Sequence, residues 1–249
     1  MIMKVFYHVD QLKTEFDRLL PFPIAAVNNL KKADRVEWIY NSNAIEGNTL
    51  SLLETKVILE EGLAIGGKRL QEHFEVINHS EAISFIEDQV NRIEPLDERT
   101  LKTIHYLILK NIDDENAGAY RSINVRVSGS QHEPPHFLQV PNEMKELFAW
   151  YEQEKDRLHP VELAALFHFK FVYIHPFTDG NGRTARLLMN FILMGHGFPP
   201  ASVKAEKKQR LTYYETLEMA SLKSEIQPFI TLIANGVAES LTKYLKAVL

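Results

Sequence analysis

The sequence predicts an all-α protein that carries one short β-hairpin flap. Along most of the 249 residues, apolar side chains recur at the three- and four-residue spacing of an amphipathic helix. Glycines and prolines mark the ends of several of these periodic segments, as they do at helix boundaries. A single stretch, residues 122–139, instead alternates apolar and polar residues in the manner of a strand.

The helices follow one another with short breaks. The first begins before Leu12 and stops at Pro21, because proline cannot continue a helix. The second is expected at about 36–47, and the third, at 49–60, is followed by a glycine-rich break. The remaining helix-period segments are 68–91, 101–108, 144–154, 159–174, 183–195, 209–221 and 227–245.

The flap is predicted from residues 122–139. Val125 and Val127 alternate with polar residues, and a Ser-Gly-Ser-Gln turn follows them. Two consecutive prolines, Pro134 and Pro135, exclude the centre of a sheet, so we expect an exposed hairpin. We found no linker or repeat, and therefore expect residues 1–40 to form an N-terminal helical extension packed on the core of residues 41–249.

Composition and charge exclude several classes of protein. The chain has no cysteine, which rules out disulfide frameworks, thiolate catalysis and iron–sulfur clusters. A net charge of −5 argues against coating of nucleic acid, although it leaves room for a local basic pocket. No apolar run reaches the roughly 18 residues of a membrane span, and the N-terminus lacks a signal-peptide core. We therefore expect a cytoplasmic protein that binds neither nucleic acid nor membrane.

Residues 175–186, HPFTDGNGRTAR, have the composition of a phosphate-binding loop. Gly180 and Gly182 permit close backbone approach, and their N–H groups lie at the start of the helix that follows. Such N–H groups bind anions. Arg183 and Arg186 are three positions apart, so they project from one side of that helix with bidentate donors suited to phosphate oxygens.

Two further residues of the same segment add catalytic chemistry. Asp179 offers a hard oxygen ligand, suited to Mg²⁺ that is shared with phosphates. His175 ends an apolar helix and could take a proton from an attacking hydroxyl near neutral pH. Any one of these residues alone would also fit an ordinary loop-to-helix junction. Their combination predicts a catalytic loop and helix over residues 175–195.

The segment resembles the motif of the Fic (filamentation induced by cAMP) family, His-Pro-Phe-x-[Asp/Glu]-Gly-Asn-Gly-Arg-x-x-Arg, without a departure. Similarity extends over about residues 40–245, through GAYRSINVRVSGS, RLLMN, GFPP and YYETLEMAS. The resemblance implies a helical Fic-type domain that transfers AMP from ATP to a protein hydroxyl, with Mg²⁺ as cofactor. The target is a Ser, Thr or Tyr of another protein or of the chain itself. The related Doc branch, which phosphorylates, usually alters the Gly-Asn-Gly portion that is intact here.

The resemblance also implies a role for each motif residue. His175 would be the general base, Phe177 would anchor the loop in the core, and Asp179 would hold Mg²⁺ against the α- and β-phosphates. The remaining implied roles concern phosphate oxygens. Asn181 and the backbone of Gly180 and Gly182 would cradle the phosphates. Arg183 would stabilise charge on the phosphates during displacement, and Arg186 would receive the γ-phosphate.

A second motif lies upstream, where Ser42 to Gly47 read SNAIEG. They match the family's inhibitory pattern [Ser/Thr]-x-x-x-Glu-[Gly/Asn], which implies an N-terminal inhibitory helix in which Glu46 pairs with Arg186. The residues themselves agree with this, because a glutamate in the last turn of a helix opposes the macrodipole at a cost of about 0.3–1 kcal/mol. Gly47 is typical of the residue that ends a helix. The alternative is a surface glutamate without a partner.

The resemblance implies further nucleotide contacts. The flap would lie over the nucleotide and pin an extended target segment by main-chain pairing, and a tyrosine pair would line the adenine pocket. The implied positions are Val127, Ser128, Gly129, Ser130, Tyr213, Tyr214 and Ser221. Several relatives carry Asn at the position of Ser221. An ordinary exposed hairpin and a tyrosine pair in the core are the alternatives.

Two other functions remain open at this stage. The same residues would serve removal of AMP from a target, with Glu46 orienting a water molecule. A non-enzymatic module that senses nucleotide or dimerises is the third reading, and a homodimer is compatible with all three. The presence of His175 argues against a mere binder, which has no use for a base at that place.

Overall fold

The computed structural model describes residues 2–248, and ten α-helices account for most of them. No strand is present among these residues, so the all-α prediction is confirmed. The helices are α1 (Ile2–Arg18), α2 (Ile24–Ile45), α3 (Leu52–Glu61), α4 (Leu70–Asn91), α5 (Glu98–Leu109), α6 (Val140–Glu154), α7 (Pro160–Ile174), α8 (Asn181–Gly195), α9 (Lys207–Lys223) and α10 (Gln227–Val248).

The centre of the fold is α8, which is buried along nearly its whole length. It packs most extensively on α7 and also contacts α2, α4 and α5. α7 is apolar on all sides, as its sequence PVELAALFHFKFVYI shows, and such a helix is stable only when it is surrounded by other elements. The loop of residues 175–180 is therefore anchored at both ends by deeply buried helices.

α2 is longer than the sequence indicated. The second helix, expected at 36–47, is the C-terminal part of a helix that begins at Ile24 and ends at Ile45. The proposed boundary between residues 40 and 41 falls inside this helix. Glu46 caps its end, and Gly47 follows in the left-handed region with φ 101°. α2 packs on α3, α4 and α10, while α1 packs on α10.

The predicted β-hairpin is wrong. Residues 122–136, called the flap loop below, make no strand pairing within the described chain. The predicted turn is present, since Ser130 N donates to Val127 O at 3.2 Å and Gly129 has φ 79°. Beyond the turn, the backbone N–H groups that strand pairing would need either bind other acceptors or are missing. Gln131 N donates to Glu218 Oε1 at 2.7 Å, and the two prolines that follow have no N–H.

Within residues 2–248, no helix combines the length and the apolar character that crossing a bilayer requires.

Candidate active site

The backbone turns at His175, the residue that caps α7. His175 has φ 51°, in the left-handed region, which is uncommon for a residue with a side chain and is found at functional sites. Its N–H still donates to Phe171 O at 3.0 Å. Its carbonyl accepts from Nε of the buried Arg121 at 2.8 Å. The start of the flap loop is thereby tied to the turn that presents the histidine.

The imidazole of His175 is held in one tautomer. Nδ1 lies 3.3 Å from Val172 O, and because a carbonyl can only accept, Nδ1 carries the proton. Nε2 is then the free acceptor. Burial lowers the pKa of His175 below its ordinary value, so the ring is neutral at pH 7. A neutral ring with a free Nε2 is the form that a general base requires.

The loop after His175 is fixed by its own side chains. The amide of Asn181 accepts from Phe177 N at 3.0 Å and donates to Phe177 O at 2.9 Å. Phe177 is fully buried, and its ring stacks on His105 with centroids 3.5 Å apart. Phe177 thus sits in the core as an anchor. Because the Asn181 side chain is engaged within the loop, the backbone N–H groups are the donors left for a phosphate.

The N-terminus of α8 provides those donors. Gly180 caps the helix with φ 74°, a conformation that glycine adopts without a steric penalty. The N–H groups of the first turn, residues 181–183, have no acceptor inside the helix. Gly182 lies directly under the carboxylate of Glu46, because a Cβ at this position would overlap Glu46 Oε1. A carboxylate therefore already rests on the anion-binding end of α8.

The ion pair predicted between Glu46 and Arg186 is formed. Arg186 Nη2 lies 2.7 Å from Glu46 Oε1, and the Arg186 side chain is only 2% exposed. Ser42 adds two acceptors, Oγ at 3.0 Å from Arg186 Nε and its carbonyl at 2.7 Å from Nη2. Burial acts to lower the pKa of Arg186, and the neighbouring Glu46 carboxylate outweighs this effect and raises it. Arg186 is therefore fully charged and held in position by Glu46 and Ser42.

Asp179 is the exposed carboxylate of the loop. Its side chain is 62% exposed, Oδ1 accepts from Gly180 N at 2.6 Å, and Oδ2 lies 3.2 Å from Nη2 of the buried Arg183. No group of three or more His, Cys, Asp or Glu side chains in residues 2–248 is arranged to hold a metal by itself. One carboxylate beside an anion site suits Mg²⁺ whose other ligands are phosphate oxygens and water. The residues present fit such a shared ion.

The three predicted adenine-pocket residues differ in their surroundings. Tyr213 is buried, and its hydroxyl lies 3.0 Å from His168 Nε2 and accepts from Arg186 Nη1 at 3.4 Å. Tyr214 is 40% exposed, and its hydroxyl donates to Ile45 O at 3.0 Å. The hydroxyl of Ser221 donates back to Leu217 O within α9. Tyr213 thus supports Arg186 from the core, whereas Tyr214 offers an exposed ring next to the end of α2.

The flap loop is held in place at its second half. Both oxygens of Glu218, on α9, are engaged: one by the hydroxyl of Ser130 and the other by Gln131 N. His132 Nε2 lies 2.8 Å from Tyr173 O on α7. Residues 130–132 are therefore fixed between α9 and the end of α7.

Comparison with known proteins agrees with this geometry. The sequence profile of the Fic/DOC family matches residues 95–193. A solved Fic-domain signalling protein from Bacteroides thetaiotaomicron is 30% identical and superimposes with a TM-score of 0.88, covering 97% of this chain and 96% of that protein. The chain belongs to the Fic family.

Other Fic proteins give the same result. Residues 134–508 of Fic-1 from Caenorhabditis elegans are 33% identical, with a TM-score of 0.90 and coverage of 98% of this chain and 72% of that one. The relative named protein adenylyltransferase Fic from Nematostella vectensis is 39% identical over 242 residues, or 95% of this chain and 55% of that protein. The chain spans about half the length of the curated relatives that it matches.

Three residues that shape this Fic site were not predicted. Arg121 binds the carbonyls of His175, Ile123 and Pro135, and Glu218 fixes the flap loop. Neither shows a sequence signal, because a charged residue in a loop or on a helix surface is usually solvated. His105 was predicted only as part of a helix. Its position, as a polar residue on the apolar face of α5, was the feature of the sequence that could have indicated a buried role.

Proposed function

We propose that this chain is a protein adenylyltransferase, which transfers AMP from ATP to a side-chain hydroxyl of a protein, and that Glu46 restrains it. One observation carries the proposal. At the N-terminus of α8 a carboxylate rests over Gly182 and is paired with the buried Arg186, so an anion site is built and filled by the chain itself. His175, with a free Nε2, borders the same loop.

The proposed reaction is an in-line displacement at the α-phosphorus of ATP. The target hydroxyl oxygen forms a bond to that phosphorus, and the bond from it to the oxygen bridging the β-phosphate breaks, so pyrophosphate leaves. His175 Nε2 takes the hydroxyl proton. The N–H groups of residues 181–183 and Arg186 would bind the phosphates, and Arg183 would stabilise charge on them. Positioning and electrostatics then supply most of the catalysis.

Asp179 would hold Mg²⁺, which neutralises phosphate charge when it is bound. The carboxylate is exposed and stands next to the α8 N-terminus, and its partner Arg183 is buried and fixed. Arg183 Nη2 now pairs with Asp179 Oδ2, and it would contact the nucleotide phosphates when that carboxylate is engaged by a ligand.

AMP transfer is favoured over phosphorylation by the intact Gly-Asn-Gly segment and by the relatives, which are named protein adenylyltransferases. A protein is favoured as the acceptor because the flap loop has no strand partner within the described residues. The main-chain groups of residues 124–126, which precede the turn, make no hydrogen bond within the described residues and can pair with an extended segment of a target, as strand-addition sites do. That segment would place its hydroxyl beside His175.

Removal of AMP is the second candidate, and the environment of Glu46 favours it. Arg186 engages Oε1, while 34% of the Glu46 side chain remains exposed. The glutamate charge also reaches His175, where it acts to raise the pKa of that histidine against the effect of burial. The partly exposed carboxylate and its charge effect on His175 support a role for Glu46 in orienting a water molecule for this reaction.

Labelled nucleotides test the proposal. Purified wild type and Glu46→Gly are incubated with Mg²⁺ and ATP that is labelled at the α- or at the γ-phosphate, with a mixture of candidate proteins. We expect label from the α-position on protein and a mass increase of one AMP, stronger in the variant. Label from the γ-position would mean phosphorylation. Nucleotide binding without any label on protein would mean a sensing module.

Replacing Asp179 with alanine is expected to remove the Mg²⁺ dependence of ATP binding, and AMP transfer with it. The reason is that Asp179 is the carboxylate inside the loop and is exposed beside the phosphate site. Calorimetry with ATP in the presence and absence of Mg²⁺ measures the effect, and Asp156→Ala, at an exposed site away from the loop, is the control. If Asp179→Ala keeps the full effect of Mg²⁺, another group holds the ion.

A further inference from the structure

His105 is a buried histidine that touches the catalytic loop from outside it. It lies on α5 and is 0% exposed. Gly118 N donates to its Nδ1 at 2.9 Å, so that nitrogen is an acceptor and the proton of the neutral ring is on Nε2. Nε2 lies 2.9 Å from Asp179 O, which can only accept. His105 therefore donates a hydrogen bond to the carbonyl of Asp179.

Two further contacts fix the ring. It stacks on Phe177 with centroids 3.5 Å apart and planes 5° apart. A Cβ on Gly180 would stand only 3.2 Å from His105 Nε2, so the ring closes the space on that side of the loop. Because Nδ1 accepts from Gly118 N, the ring is neutral and its single N–H, on Nε2, stays directed at the loop.

The peptide unit between Asp179 and Gly180 is thus held at both ends. His105 binds the carbonyl, and Asp179 Oδ1 accepts from Gly180 N at 2.6 Å. Glycine is free to adopt many backbone conformations, so Gly180 does not select its left-handed conformation by itself. An external contact has to select it, and the His105 bond is placed to do so.

We propose that His105 is a positioning residue, whose hydrogen bond to Asp179 O sets the peptide plane that aims the Asp179 carboxylate and opens the N-terminus of α8. The inference rests on the proposed function, because it assigns His105 a part in holding Mg²⁺ and the phosphates. Outer partners of a metal ligand typically change metal affinity or activity by about 10–100-fold when they are removed.

Two amide variants isolate this hydrogen bond. Both His105→Gln and His105→Asn lose the ring and its stacking on Phe177. Gln reaches as far as Nε2 and can still donate to Asp179 O, whereas Asn reaches only as far as Nδ1 and keeps just the Gly118 contact. Leu101→Ala is the control for general destabilisation, because it removes a fully buried side chain from the same helix.

The probe is ATP, titrated by calorimetry with a series of Mg²⁺ concentrations and with chelator alone, in the Glu46→Gly background. We expect His105→Asn to raise the Mg²⁺ concentration for half-maximal effect about 10–100-fold, while chelated ATP binds within a few-fold of the parent. His105→Gln should stay within a few-fold of the parent throughout. Leu101→Ala should lower the melting temperature and leave the Mg²⁺ requirement unchanged.

Amide hydrogen exchange of residues 176–182, measured without nucleotide, gives a second readout that is independent of the proposed function. Faster exchange in His105→Asn than in His105→Gln supports the inference even in a chain that proves not to transfer AMP. Equal exchange and equal Mg²⁺ requirements in the two variants would overturn it. If His105→Asn does not fold, His105→Phe, which keeps the stacking and loses both hydrogen bonds, replaces it in each comparison.

Discussion

Replacing His175 with alanine is expected to lower the rate of AMP transfer by about 10²–10⁴-fold, the usual cost of losing a general base. ATP affinity should be largely retained, because the phosphate ligands that we propose are the N–H groups of α8 and Arg186 rather than the imidazole. The transfer rate and the calorimetric affinity are measured on the same preparations, in the Glu46→Gly background so that transfer is fast enough to follow.

The pH profile adds an independent test of the same assignment. The base must be neutral, and burial places the pKa of His175 below its ordinary value of 6.5. Transfer should therefore be constant near pH 7 and fall as the solution is acidified through that lowered pKa. His175→Ala should lose this acid limb along with the rate, while His8→Ala, at an exposed position in α1, should keep both. Transfer by His175→Ala within a few-fold of its parent would show that another group takes the proton.

The sequence predicts well those features that depend on residues close together in the chain. The 3.6-residue period of apolar side chains marks most of the helices, because burial of one face stabilises an amphipathic helix. The segment of residues 175–186 could also be predicted from the sequence, since a phosphate site needs particular residue types at short spacing. The Glu46–Arg186 pair joins residues 140 positions apart. It was predictable only because the family resemblance supplied the partner.

The prediction failed where contacts between distant segments decide the structure. Alternation of Val125 and Val127 suggested a strand, yet Glu218, far along the chain, takes the donors of the turn, and no ladder forms. The start of α2 was misplaced because residues 24–35 carry little apolar periodicity. Arg121 binds backbone carbonyls of the flap loop and the carbonyl of His175, and a pattern of side chains contains no information about such contacts.

Replacing Glu46 with glycine is expected to raise AMP transfer by about 30–150-fold. Glu46 pairs with Arg186 and covers Gly182, so in the proposed binding mode the γ-phosphate of ATP cannot reach Arg186 while the pair is formed. Breaking a buried pair costs about 3–5 kcal/mol, and because Glu46 is 34% exposed we use a smaller figure of about 2–3 kcal/mol. A population shift of that size corresponds to the stated gain.

Arg186 should stay in place in this variant. Ser42 continues to bind it through Oγ at 3.0 Å and through its carbonyl at 2.7 Å, so the charge remains aimed at the end of α8. Ser42→Ala removes only the Oγ contact, leaves Glu46 on Arg186, and should give a smaller gain. Glu46→Gln is the matched control, because it keeps the shape of the side chain and removes the charge. Its transfer rate should lie between those of wild type and Glu46→Gly.

Incorporation of AMP from α-labelled ATP by wild type, Glu46→Gly, Glu46→Gln and Ser42→Ala decides the matter. Equal and substantial incorporation by wild type and Glu46→Gly would show that the ion pair is structural and restrains nothing. A target that already carries AMP supplies the converse test. If the chain removes AMP with Glu46 orienting the water, Glu46→Gly should abolish removal and also raise transfer. One carboxylate would then set both the rate and the direction of the reaction, since the Glu46 side chain that pairs with Arg186 also exerts its charge on His175.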